Sequence, residues 1–230
     1  MLGSCKTKHN TTIHTSTFKP SKDSLAFYFP NNTFSDYPRA DSFAQNRYSS
    51  ALYSFKEPVL SHNFVGHNIY RFLWLRSFHR PVVSSLHQAD GQIWLKTKIL
   101  DTQPRFLDER VCCFSKEEKE EYTKEGYSVD NKRPELMIRI ADRKANIIYN
   151  KDIYLSDKEW NEFEQLLAKA NFWKLPSKIY DGDADGASWI IEGHLKNKYH
   201  VVDYHSPFND QFEKAGSFLI TLSGLQEEVY

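Results

Sequence analysis

Trp189-Ile190-Ile191-Glu192-Gly193-His194-Leu195-Lys196-Asn197-Lys198-Tyr199-His200-Val201-Val202-Asp203-Tyr204-His205 decides how this chain is read. Two β-rich runs flank Lys196-Asn197, a dipeptide suited to a two-residue hairpin turn. That turn sets Trp189 opposite Tyr204, Ile191 opposite Val202 and Gly193 opposite His200. Side chains alternate across a strand, so Trp189, Ile191, Val202 and Tyr204 share one apolar face. The other face gathers Glu192, His194, Tyr199, Asp203 and His205. A hairpin with one apolar and one polar face predicts an antiparallel sheet whose apolar side is covered by helices and whose polar side is wet.

The helices are close by. Ser156-Asp157-Lys158-Glu159 has the form of a capping box, and Trp160, Phe163, Leu166, Leu167 and Ala170 follow at helical spacing. Leu175-Pro176 ends that helix, and residues 212–225 supply a second. Upstream, Ile69–Leu75 reads as a strand buried on both faces, followed by Val82–Leu86 and Ile93–Leu100 across the turn dipeptide Asp90-Gly91. Leu136–Ile140 and Asn146–Tyr154 are two more expected strands. The order β-β-β-β-β-α-β-β-α predicts an α+β fold: a largely antiparallel sheet with two helices from the C-terminal half on one face. Residues 43–57 are expected to form one further amphipathic helix before Pro58, and Lys116 to Lys124 a solvated loop or short exposed helix.

Four blocks of this sequence resemble a widespread, Bacteroidetes-like family of bacterial proteins without an assigned activity. They are Tyr70-Arg71-Phe72-Leu73-Trp74-Leu75-Arg76-Ser77-Phe78-His79-Arg80-Pro81, Phe172-Trp173-Lys174-Leu175-Pro176, Asp185-Gly186-Ala187-Ser188-Trp189-Ile190-Ile191-Glu192-Gly193 and Tyr199–Pro207. The resemblance implies a shared fold and transfers no catalytic residue. Tyr204-His205 departs from it, standing where an Arg-Trp type pair is expected.

The amino terminus suggests a location. Met1-Leu2-Gly3-Ser4-Cys5 resembles the end of a bacterial lipoprotein signal, with Cys5 as the acylated residue. The charged and apolar regions of such a signal are then expected upstream of Met1. The expectation is an extracytoplasmic, membrane-anchored lipoprotein of the periplasm or outer membrane; the alternative is a cytoplasmic protein and a chance match. Residues 6–42 are rich in Lys, Asn, Thr, Ser and Pro, so residues 1–42 are expected to be a flexible tether and residues 43–230 a single domain. Asp23-Ser24-Leu25 resembles a short O-glycosylation signal. No run of about 18 apolar residues is present to cross a bilayer as a helix. Lys+Arg and Asp+Glu number 30 each, a balance that argues against a nucleic-acid partner.

The candidate chemistry is sparse. Cys112 and Cys113 are neighbours, which suits free thiols or a strained vicinal disulfide rather than a zinc site. Asp181, Asp183, Asp185, Gly186 and Glu192 fit the calcium-loop template D-x-D-x-D-G-x5-E. A strand starting near Ser188 carries Glu192 away from that loop, however, so no calcium binding is expected. Arg71, Arg76, His79 and Arg80 surround the first strand; its arginines are expected to pair with Glu192 or Asp203, the alternative being that they line an anion pocket. Two functional readings follow. The first is a lipid-anchored module, of inhibitor or immunity type, that binds a protein or small ligand on the open face of Glu192, His194, Tyr199, Asp203 and His205. The second is a metal-assisted hydrolase using Glu192, Asp203 and His200 or His205. Alternation puts His200 and His205 on opposite faces, which disfavours the second.

Overall fold

A computed structural model describes residues 27–62, 64–104, 108–111, 115–124, 127–129, 136–139, 145–179, 186–208 and 210–226. In chain order the elements are α1 (Pro38–Ser54), β1 (Asn68–Arg76), β2 (Val82–Ala89), β3 (Gln92–Leu100), β4 (Asp108–Val111), α2 (Lys116–Lys124), β5 (Tyr127–Val129), β6 (Leu136–Arg139), β7 (Ile147–Leu155), α3 (Asp157–Lys169), a 3-10 turn (Phe172–Lys174), β8 (Lys178–Ile179), β9 (Ala187–Leu195), β10 (Lys198–His205) and α4 (Gln211–Ser223). The fold is α+β. An open seven-stranded sheet runs β7-β3-β2-β1-β9-β10-β8, antiparallel throughout except for the parallel pair β8–β10. That two-residue edge strand is what makes the sheet mixed.

Local chemistry sets the registers. Asp90 and Gly91 both take positive φ (50° and 73°), the conformation of the tight turn that joins β2 to β3 with Ala89 opposite Gln92. In the last hairpin Trp189 faces Tyr204, Ile191 faces Val202 and Gly193 faces His200, the register the sequence predicts. Helix α3 opens at Ser156, whose backbone N–H donates to the Glu159 carboxylate at 2.6 Å; the Ser156 hydroxyl donates to the same carboxylate at 2.8 Å. Helix α4 is capped by Asp210, which accepts from the Glu213 N–H at 2.7 Å, and ends at Gly224 with φ 72°.

Two cores lie on opposite faces of the sheet. On one face Phe72, Trp74, Trp189, Ile191 and Val202 meet Trp160, Phe163 and Leu167 of α3 and Phe212 and Leu219 of α4. Helix α4 comes close because Gly216 faces the indole of Trp189; a Cβ there would lie 2.5 Å from the ring. On the other face Leu73, Leu75, Val83, Ile190 and Val201 meet Tyr28, Phe29, Phe34, Tyr48, Leu52 and Phe55.

That second core corrects the expected boundary at residue 42. Tyr28, Phe29 and Phe34 are buried, and the Asp41 carboxylate accepts from the N–H groups of Asn32 (2.9 Å) and Phe34 (2.8 Å). Residues 27–42 therefore belong to the folded unit, because their aromatics supply the apolar cover of a sheet face. The expected helix over 43–57 instead starts at Pro38, a residue whose fixed φ and missing N–H suit a first helical turn, and stops at Ser54. The segment Lys116 to Lys124 is an exposed helix, α2. The expected strand at 136–140 does not join the main sheet: β6 pairs with β4 and β5 in a separate three-stranded sheet.

Candidate functional site

All five residues of the proposed partner face lie on the side of the sheet away from α3 and α4, as alternation requires. The face is not wet, however. Helix α1 and the chain before and after it cover it, leaving Glu192 at 1%, Asp203 at 0% and His194 at 8% exposure. Tyr199 and His205 are half-buried. The expected solvent-facing side is an internal layer, because the aromatic residues of 28–55 bury themselves there.

The charges in this layer are paired across elements. Arg71 on β1 stands opposite Glu192 on β9, and its guanidinium donates to that carboxylate. It also donates to the Pro58 carbonyl at 2.8 Å and lies 3.9 Å from Glu57. Lys98 on β3 donates to Glu57 at 2.6 Å and to the Phe55 carbonyl at 2.8 Å. Ser85 donates to Glu57 at 3.2 Å, Tyr28 to the Glu57 carbonyl at 3.0 Å, and Tyr199 to Glu192 at 2.8 Å. Two cations thus meet two carboxylates in a site excluded from water. Burial pushes the Glu192 carboxyl above its ordinary range, opposed by the charge of Arg71 and the hydrogen bond from Tyr199. Burial and the adjacent Glu192 push the Tyr199 hydroxyl well up.

Asp203 makes a second, smaller constellation. Its carboxylate accepts from the Tyr48 hydroxyl at 2.5 Å and from the Lys178 ammonium. Burial, and then Asp203, raise the Tyr48 hydroxyl well above its ordinary value. His194 is fixed by a 2.5 Å contact between Nδ1 and the Leu60 carbonyl, with the Phe64 ring at its edge. His205 pairs in register with Ser188, near the start of β9. His200 lies on the opposite side, with Nε2 3.0 Å from the Leu175 carbonyl and its ring against Phe172. The sheet thus separates His200 from His205.

Beyond these, His67 Nε2 lies 2.9 Å from His87 Nδ1, and the His87 ring stacks on Trp94 at 4.7 Å. Burial lowers both imidazoles, His87 the more strongly, and His67, Lys96, Lys98 and Arg71 add to the effect at His87. Sequence reasoning missed Glu57, Lys98, Tyr28 and Tyr48. Alternation along β3 puts Lys98 opposite Val83 on this face once the register is known, but nothing local announces the contact with Glu57 41 positions away.

Among the described residues no three His, Cys, Asp or Glu side chains converge as a metal site. Asp181, Asp183 and Asp185 of the calcium template lie outside the described residues, as do Cys5, Cys112, Cys113 and the segment Asp23-Ser24-Leu25. The twelfth template residue, Glu192, sits in the middle of β9 with its carboxylate on Arg71 and Tyr199. No described helix is long and apolar enough to cross a membrane. No protein-family model, no curated protein and no solved structure matches the chain.

Proposed function

We propose that this chain is a lipid-anchored, extracytoplasmic binding module, held by an acyl group on Cys5 and acting on a protein or small ligand rather than on a bond. The observation that carries the reading is the fate of the charged groups a hydrolase would need. Glu192 and Asp203 are buried and paired with Arg71, Lys178, Tyr48 and Tyr199. Water and substrate reach neither carboxylate while residues 28–60 cover them. A buried ion pair of this kind holds elements in register and becomes costly when one partner is lost.

The binding surface of such a module is then not the face first expected, which the chain covers itself. Apolar side chains stand in solvent on the loops at one end of the sheet: Phe78, after β1, is 77% exposed and Phe208, after β10, is 83% exposed. These loops flank the start of β9, where Ser77 N–H donates to the Gly186 carbonyl and Ser206 N–H to the Ala187 carbonyl. Sequence supports the anchor through Leu2-Gly3-Ser4-Cys5 and the polar stretch between Cys5 and Tyr28.

The test is metabolic labelling of the protein, produced from its own locus, with a palmitate analogue. Label that disappears in Cys5→Ala, together with release of that variant from membranes, supports the anchor. A native protein that carries no label refutes it.

A further inference from the structure

Helix α1 and its flanking chain cover the ionic face only as far as β3. Lys98 is buried there, held by the Phe55 carbonyl and by Glu57. Earlier on the same side of that strand Lys96 and Trp94 are half-buried, and on the edge strand β7 Asn150, Asp152 and Tyr154 are exposed. The cover therefore leaves one corner of this face open. It lies beside the Asp90-Gly91 turn, at the opposite end of the sheet from Phe78 and Phe208.

Two aromatic rings meet at that corner. Trp94 and Tyr154 stand directly opposite each other in the β3–β7 register, so both side chains project from this face. The Trp94 indole stacks on His87, its opposite number on β2, with ring centres 4.7 Å apart and planes 1° from parallel. His67 packs on the same pair, 5.8 Å from the indole. Stacking on the β2 side holds the indole upright and turns its other face towards β7, where Tyr154 is 75% exposed. Polar groups border the rings. Lys96 and Asp152, the next pair along the same face, form an ion pair at 2.8 Å and cancel each other's charge. Gln92 and Asn150, both exposed, extend the row beyond Trp94 and Asp152.

We infer that this corner binds a neutral saccharide, with a pyranose ring resting on Tyr154 and Trp94 and its hydroxyl groups bonded to Asp152, Lys96, Asn150 and Gln92. One face of a pyranose ring presents C–H bonds and is apolar; it fits the electron-rich face of an aromatic ring. The hydroxyl rim both donates and accepts, which suits a carboxylate, an ammonium and two carboxamides. Nucleobases also stack on exposed aromatic rings, but their phosphates call for a basic surface, and the described side chains here balance to zero charge. The inference goes beyond the proposed function and holds whether or not Cys5 is acylated.

Calorimetric titration of the purified chain with cellohexaose, xylohexaose, mannohexaose and chitohexaose tests it, with an oligothymidylate as comparator. Saturable binding of at least one hexasaccharide is expected. Tyr154→Ala should weaken that binding about tenfold, while Tyr154→Phe should keep most of it, because the ring rather than the hydroxyl makes the contact. Trp94→Phe should still bind but lose most of the change in tryptophan fluorescence that the sugar produces. Circular dichroism checks that each variant folds; Asp152→Ala, at a second exposed position, should bind more weakly as well. No saturation by any of these hexasaccharides, wild-type binding by folded Tyr154→Ala, or binding of the oligothymidylate alone would overturn the inference.

Discussion

The two faces of the main sheet are buried by different means. One side is an aromatic and aliphatic core in which Phe72, Trp74 and Trp189 meet α3 and α4. The other mixes an apolar patch with Glu57, Arg71, Lys98, Glu192 and Asp203 beneath α1 and its flanking chain. On the first side, stability follows from the area removed from water and from close packing. On the second, each ionised group has lost its hydration and depends on a named partner. Polar character in a strand therefore does not establish exposure: the same alternation serves a wet face and an internal ionic layer.

The apolar face is expected to show the largest single effect. Trp189→Ala removes a fully buried indole from between Phe72, Trp74 and Gly216, and should lower unfolding free energy by about 3–5 kcal/mol in urea denaturation. The ionic face follows. Lys98→Met leaves the Glu57 carboxylate without its closest cation, with Arg71 at 3.9 Å, and should cost about 3 kcal/mol, the lower end for breaking a buried pair. A cost below about 0.5 kcal/mol, the range of ordinary surface changes, would show that water reaches this layer. Asp41→Ala removes the acceptor of two backbone N–H groups at Asn32 and Phe34 and should cost about 1–2 kcal/mol. Hydrogen exchange should then quicken near residues 32–34 while the α3–α4 side keeps its protection.

Acid should produce the gentlest change. His87 and His67 are held below the ordinary imidazole value by burial, so the unfolded chain binds more protons than the folded one as pH falls through about 6.5. Their contribution is complete above that pH and is lost progressively below it. The melting temperature should therefore fall between about pH 6.5 and 5, and His87→Gln should flatten that slope. An unchanged slope in His87→Gln would place the titrating groups elsewhere.

Much of the helix-covered face is legible in the sequence because its signals are local. The register of the final hairpin follows from Lys196-Asn197 and alternation, α3 from Ser156 and the stripe Trp160, Phe163, Leu167, and the β2–β3 turn from Asp90-Gly91. The covered ionic face was only half legible. That an arginine of β1 would pair with Glu192 or Asp203 could be anticipated, since an arginine in an apolar strand needs a carboxylate. Its roof could not. Tyr28, Phe29 and Phe34 stand in a polar stretch that reads as tether, and their burial depends on a sheet whose first strand begins only at Asn68. Nor does Glu57, next to Pro58, signal that two cations from different strands will meet it.

A double-mutant cycle on Arg71 and Glu192 tests most directly whether this layer is structural. Unfolding free energies of the wild type, Arg71→Met, Glu192→Met and the double variant give the coupling between the two side chains. If the pair holds the fold, each single variant should lose about 3–5 kcal/mol and the double variant should recover a large part of that loss. Functional residues often carry strain that their replacement relieves. A Glu192→Met variant as stable as the wild type, with coupling near zero, would show instead that Glu192 is kept for something other than the fold.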